Sequence, residues 1–268
     1  MPRESSVMDE LRAALLAWYE HEHRDLPWRR TSDPYAILVS EVMLQQTQVA
    51  RVLPRFVAWL ERWPSAAALA VAGRAEVLGA WVGLGYNTRA VRLHLACQVI
   101  AREGWPTTAA GLRALPGVGP YTAAAVASFA FGEVVAAVDV NVARVAARLG
   151  AGTPQALLAA GRSAAWNQAM MELGATTCRA RSATCSGCPV APWCASAGRV
   201  QVAERAPPGA GLPRFEETNR WARGRVVAAL AAGEGLPRHI PAARLAAAVE
   251  GLVRDGLVNR EGDGLSVG

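Results

Sequence analysis

Leu115-Pro116-Gly117-Val118-Gly119-Pro120-Tyr121-Thr122 sets two glycines two residues apart between stretches of helical pattern. This spacing predicts a tight hairpin joining two helices, because glycine enters left-handed backbone without the steric cost other residues meet. The N–H groups of Gly117 and Gly119 can then point outward beside a helix N-terminus, which suits one phosphate. A plain helix–helix turn explains the same spacing equally well.

Outward from the hairpin the pattern stays helical. Thr122 to Phe131 follows it, and Arg89 to Glu103, Ala75 to Val82 and Val49 to Trp63 precede it. Asp9 to Glu20 places Leu11, Leu15, Leu16 and Tyr19 at helical spacing. Asp25-Leu26-Pro27-Trp28 breaks that pattern, and Ser32-Asp33-Pro34 starts a new helix carrying Ile37, Leu38, Val42 and Leu44. Val142 to Leu149, Arg223 to Ala232 and Ala242 to Arg254 add three more. No two-residue alternation is sustained before residue 250, so the chain reads as mainly α. Ala203 to Pro213, rich in Pro, Gly and Ala, reads as a linker. Leu257 to Arg260 and Gly262 to Leu265 read as a small hairpin, so residues 214–268 read as a winged-helix-like module.

The 268 residues are 52% hydrophobic and 19% charged, which excludes a disordered chain. The apolar runs are too short to cross a bilayer and the first residues carry no secretory pattern, so the expectation is a cytoplasmic protein with no membrane contact. The net charge of +6 is compatible with nucleic acid without requiring it. All 28 basic residues are arginine; there is no lysine.

Three constellations carry chemistry. Cys178, Cys185, Cys188 and Cys194 are spaced Cys-x6-Cys-x2-Cys-x5-Cys. Thiolates this close favour a metal over disulfides, and one compact four-cysteine loop suits a [4Fe–4S] cluster better than zinc, which prefers paired Cys-x2–4-Cys units. Cys97, among Leu93, Leu95 and Val99, reads as a buried apolar side chain. Asp139, inside Ala137-Val138-Asp139-Val140-Asn141-Val142, is costly in apolar surroundings unless it caps the helix after it, works chemically, or does both. Glu41 lies within Val39-Ser40-Glu41-Val42-Met43-Leu44-Gln45-Gln46-Thr47-Gln48, an apolar helical stretch ending in amides of the kind that probe base edges.

In this order the motifs resemble the helix–hairpin–helix glycosylases with a C-terminal iron–sulfur cluster, the endonuclease III superfamily. Within it they resemble the A/G-specific adenine DNA glycosylases, the MutY family. The resemblance rests on Leu26-Pro27-Trp28-Arg29, the Ser40 to Gln48 run, Gly83-Leu84-Gly85-Tyr86, the Gly117/Gly119 hairpin, Val138-Asp139, Asn141-Val142, Asn167-Gln168-Ala169-Met170-Met171-Glu172-Leu173-Gly174 and the four cysteines. It covers about residues 9 to 197. It implies a two-lobed glycosylase domain over residues 1–202, with its cluster loop at 178–194, followed by the 203–213 linker and the 214–268 module.

The resemblance also implies roles. Glu41 protonates the departing adenine, and Asp139 stabilises or attacks the oxocarbenium-like sugar, the two-carboxylate logic of glycoside cleavage. Tyr121 and Asn141 match positions around the sugar and Asp139. Arg24, Leu26, Trp28 and Glu172 match the pocket for the flipped adenine. Leu44, Gln45, Gln46 and Tyr86 match residues entering the base stack or touching the opposite guanine, while Gly117 and Gly119 meet a phosphate. The expected partner is double-stranded DNA with a mispaired or damaged base, bound by a monomer. Related bifunctional enzymes place a Schiff-base lysine where Tyr121 stands; without lysine the expected product is an intact strand with an abasic site. The family's C-terminal Nudix-like domain is expected to be replaced by the 214–268 module. Two other readings remain: a glycosylase removing thymine or uracil opposite guanine, and a non-catalytic DNA-binding iron–sulfur protein.

Overall fold

The computed structural model describes residues 2–200, 213–262 and 264–267. Its helices are α1 (Pro2–Glu22), α2 (Pro34–Leu44), α3 (Val49–Arg62), α4 (Ala66–Ala70), α5 (Arg74–Trp81), α6 (Thr88–Glu103), α7 (Ala109–Leu112), α8 (Pro120–Phe131), α9 (Val140–Leu149), α10 (Pro154–Leu157), α11 (Ser163–Thr176), α12 (Asn219–Ala231) and α13 (Ala242–Arg254). A single two-stranded hairpin follows among the described residues, β1 (Val258–Glu261) and β2 (Gly264–Val267), pairing Val258 with Val267 and Glu261 with Gly264. The mainly helical class read from the sequence holds. Nearly all of the 203–213 linker lies outside the described residues.

The chain divides into two compact units. One comprises Met1–Leu38, Pro106–Ala114 and Val118–Arg205; the other comprises Val39–Trp105, Leu115–Gly117 and Ala206–Gly268. In the first, the stripe Leu11, Leu15, Leu16 and Tyr19 on α1 is buried against Val142, Val145 and Leu149 of α9 and Trp166, Met170 and Leu173 of α11. Each such aliphatic side chain removed from water contributes about 1.5–3 kcal/mol. Helix α11 lacks a polar stripe: Trp166, Asn167, Ala169, Met170, Glu172, Leu173 and Gly174 are all buried. That is why hydrophobic periodicity does not reveal it.

In the second unit α3 turns Val52, Phe56 and Trp59 inward. Trp59 meets Trp63 and Trp81 edge-on, with ring centroids 4.7 and 5.5 Å apart. Helix α12 lies on α5, where Gly79 approaches Ala231, and Arg74 donates to the carbonyl of Gly256 at 2.7 Å. The C-terminal helices and hairpin are thus part of this unit's packing.

Of the two glycines in the turn between α7 and α8, Gly117 takes left-handed backbone and Gly119 does not. Gly117 has φ +76°, and a Cβ there would stand 2.6 Å from Cβ of Arg92. Gly119 is the N-cap of α8 with φ −83° and has open space where its Cβ would be. Gly117→Ala is therefore expected to destabilise the protein by about 2–3 kcal/mol, and Gly119→Ala by about 1 kcal/mol or less. Denaturant unfolding of the two variants beside wild type measures the difference.

Candidate active site

Asp139 is the N-cap of α9. Its Oδ1 accepts from the backbone N–H of Asn141 at 2.9 Å and of Val142 at 2.7 Å, and its Oδ2 accepts from Asn141 Nδ2 at 2.8 Å. The flanking Val138 and Val140 are exposed, so this half-buried carboxylate lies where a ligand can reach it. Asn141 is fixed in turn. A Cβ on Gly174 would lie 2.7 Å from Cβ of Asn141, so glycine lets α11 press directly against this residue. Arg144 donates to Asn141 Oδ1 at 2.8 Å, to the Gly174 carbonyl at 2.7 Å and to the Cys178 carbonyl at 3.0 Å. Buried Asn167 secures the approach to Asp139 by accepting from Ala137 N–H and donating to the Val135 carbonyl and Ser128 Oγ. Tyr121, in the first turn of α8, directs its hydroxyl to Met171 Sδ at 3.6 Å.

Glu172 is wholly buried on α11. It accepts from Arg24 Nε and Nη2, both at 2.7 Å, from the Arg24 backbone N–H at 3.1 Å, and from Arg29 Nη2 at 2.6 Å. Burial alone would raise its pKa. The hydrogen bonds from Arg24 and Arg29, with the Arg29 charge, outweigh that and bring it down to about 2. Leu26, the N-cap of the short 3-10 turn at Pro27–Arg29, and Trp28 within that turn are both buried. Arg29 belongs to the quoted Leu-Pro-Trp-Arg run, but its pairing with Glu172 spans 143 positions and no local pattern shows it.

Glu41 belongs to the second unit, buried in α2 beside buried Ser40, Val42 and Met43. At the end of α2, Leu44 is half-buried; beyond it Gln45 is half-buried and Gln46 is exposed with φ +55°. Arg89 holds this turn. It donates to the carbonyls of Val42, Met43 and Gln45, and also to those of Leu84 and Gly85 and to Thr47 Oγ1. One guanidinium thus joins the Gln45–Gln46 turn to the loop carrying Tyr86, whose φ is +49°. Burial lowers the Arg89 pKa to about 10. Sequence reasoning missed this residue because its partners are backbone carbonyls.

Cys178, Cys185, Cys188 and Cys194 are unbridged and line one small pocket with Arg148. Arg148 donates to Cys178 Sγ and to its carbonyl, both at 3.3 Å. The Ala195 and Ser196 N–H groups satisfy the last carbonyls of α9, at Leu149 and Arg148. Among the described residues no three Cys, His, Asp or Glu converge on a point where one metal ion would sit. Four thiols lining one pocket are a soft donor set of the kind that holds a metal centre. Cys97, in the second unit, is buried on α6, its thiol pushed up to about 12 by desolvation.

Residues 39–163 match the family described as HhH-GPD superfamily base excision DNA repair protein. The adenine DNA glycosylase of Mycobacterium tuberculosis (strain CDC 1551 / Oshkosh) is 44% identical over 93% of this chain and 90% of its own length. The chain belongs to the adenine DNA glycosylase family. The family's Mycolicibacterium smegmatis member is 46% identical over 80% of this chain and 78% of its own length. The human member is 41% identical over 80% of this chain and 45% of its own length. Among solved structures, a thermostable thymine-DNA glycosylase superposes with a TM-score of 0.67 at 26% identity, covering 73% of this chain and 99% of that one. A trapped endonuclease III–DNA covalent intermediate shares the fold, with a TM-score of 0.60 at 23% identity over 74% of this chain and 96% of that one. No described helix is long and apolar enough to cross a membrane.

The Glu172 cluster sets a pH dependence. A folded-state pKa of about 2 lies below the ordinary 4.5, so the stability it confers is complete above about pH 4.5 and is lost as pH falls towards 2. Glu172→Gln leaves two guanidiniums without their anion and is expected to cost about 3 kcal/mol at pH 7. Unfolding curves from pH 7 to pH 3 should show the gap between wild type and variant narrowing only below about pH 4.5.

Proposed function

We propose that this protein is a monofunctional DNA glycosylase that hydrolyses the N-glycosidic bond of adenine mispaired with 8-oxoguanine or guanine in double-stranded DNA, the first step of base excision repair. The observation that carries the proposal is the Asp139 carboxylate fixed at the exposed start of α9 by Asn141 and two backbone N–H groups, in a chain of the adenine DNA glycosylase family. Cleavage requires a proton on the departing base and negative charge beside the sugar as it gains oxocarbenium character. Glu41 donates the proton; its burial in α2 keeps bulk water from competing for it. Asp139 faces the developing cation with its charge directed by the hydrogen bonds it accepts. Glu172, held as an anion by Arg24 and Arg29, orders the wall against which the flipped adenine rests with Leu26 and Trp28. Leu44, Gln45, Gln46 and Tyr86 contact the base stack and the opposite guanine, and the N–H groups at Gly117 and Gly119 meet a backbone phosphate.

Cys178, Cys185, Cys188 and Cys194 would hold a [4Fe–4S] cluster, which supplies a rigid covalent centre for the loop. Arg148 is placed to donate to a cluster-bound Cys178 sulfur, and the loop beyond presents Arg179, Arg181 and Arg199 for phosphate. Protein purified without oxygen is expected to be brown, with about four iron and four sulfide per chain. Stoichiometric zinc without iron contradicts this assignment.

Single-turnover base release from duplexes carrying A·8-oxoG, A·G, T·G and U·G tests the proposal. Adenine is expected to leave faster than thymine or uracil, and Glu41→Gln to lose about 10²–10⁴-fold in rate while still binding the mismatch. With no lysine among the 268 residues, the product strand should stay intact on a denaturing gel until alkali is added. Faster release of thymine, or efficient nicking without alkali, overturns the reading.

A further inference from the structure

Within the second unit a groove of about 630 Å³, open to solvent, lies between the loop at residues 82–88 and the C-terminal helices α12 and α13. We infer that this groove is a DNA-backbone binding site, and that the C-terminal segment is a DNA-binding element supplying one of its walls. The inference rests on the glycosylase reading for the identity of the nucleic acid.

Charge is the first support. Arg51, Arg220, Arg223 and Arg225 line the groove against one acidic residue, Asp255, which is already paired with Arg223. Among the described residues neither Arg51 nor Arg225 has an ion pair, so the groove holds an uncompensated positive charge. Lone arginines on a surface are common, but here they share a concave wall with aromatic rings. The Arg220 guanidinium lies 4.3 Å from the centre of the Tyr86 ring and 5.6 Å from that of Phe215, and it donates to the Tyr86 hydroxyl at 2.9 Å. Both residues remain partly exposed, Tyr86 at 40% and Phe215 at 53%, with Arg89 also over the Tyr86 ring at 5.6 Å. Guanidiniums beside partly exposed aromatic side chains form the combination that tracks phosphates and packs on sugars and bases. An acidic peptide would use the charge and leave the rings idle.

Position is the second support. Tyr86 is shared: it belongs to the loop that Arg89 ties to the Gln45–Gln46 turn, and its hydroxyl is anchored by Arg220 of α12. The C-terminal segment therefore holds a residue in left-handed backbone at the start of the groove. DNA contacting Tyr86 finds Arg51 and Arg225 along the same channel.

The test compares the Arg51→Ala/Arg225→Ala protein with Arg102→Ala/Arg254→Ala, which removes two exposed arginines outside the groove. Dissociation constants for a fully paired duplex are measured from low to high salt, because backbone contacts are independent of sequence and of excision. Losing two phosphate contacts should weaken binding about 10-fold and reduce the slope of log K against log salt by about 2. The control pair should keep the wild-type slope. An unchanged slope in the groove variant, or an equal fall in the control, overturns the inference. Adenine release by the wild-type protein is measured in parallel, so failure of the glycosylase reading is seen separately from failure of the groove.

Discussion

The N-cap of α9 is the constraint to which the rest of the first unit answers. A carboxylate that must be reachable and yet immobile cannot be held by packing alone. Here its oxygens take up the N–H groups that begin a helix, and the side chain of Asn141 closes the remaining side. That arrangement works only if Asn141 cannot turn. Gly174 permits the contact of α11 that prevents it, and Arg144 extends the support to the Cys178 carbonyl. The cap is thus continuous, through Asn141 and Arg144, with the first residue of the cysteine loop.

The fold uses guanidinium groups where several carbonyls must be held by one side chain. Arg89 spans two loops, Arg144 joins α9 to the end of α11, and Arg148 gathers the start of the cysteine loop. A lysine ammonium lacks the planar fork that makes such multiple contacts possible. The framework thus draws these multiply bonded cations from arginine alone.

Much of this was legible in the sequence because it is local. The stripe on α1 is a matter of period, the hairpin follows from two glycines, and Asp139 was readable as a cap from the apolar run around it. Cys97 was readable as core from its neighbours. Helix α11 was not, because burial on most of its sides erases the amphipathic signal that marks a surface helix. The partners of Glu172, the carbonyls gathered by Arg89 and the pairing of Arg220 with Tyr86 join residues more than 40 positions apart in most cases, and arginine type alone does not say which cation meets which acceptor.

The central claim is that Asp139 does two separable things, capping α9 through its oxygens and facing the sugar through its charge. Asp139→Asn tests it most directly, because asparagine caps helices about as well as aspartate but carries no charge. The account predicts a stability within about 1 kcal/mol of wild type by denaturant unfolding, together with a loss on the order of three decades in single-turnover adenine release. Release near the wild-type rate, or a loss accounted for by unfolding alone, would contradict it.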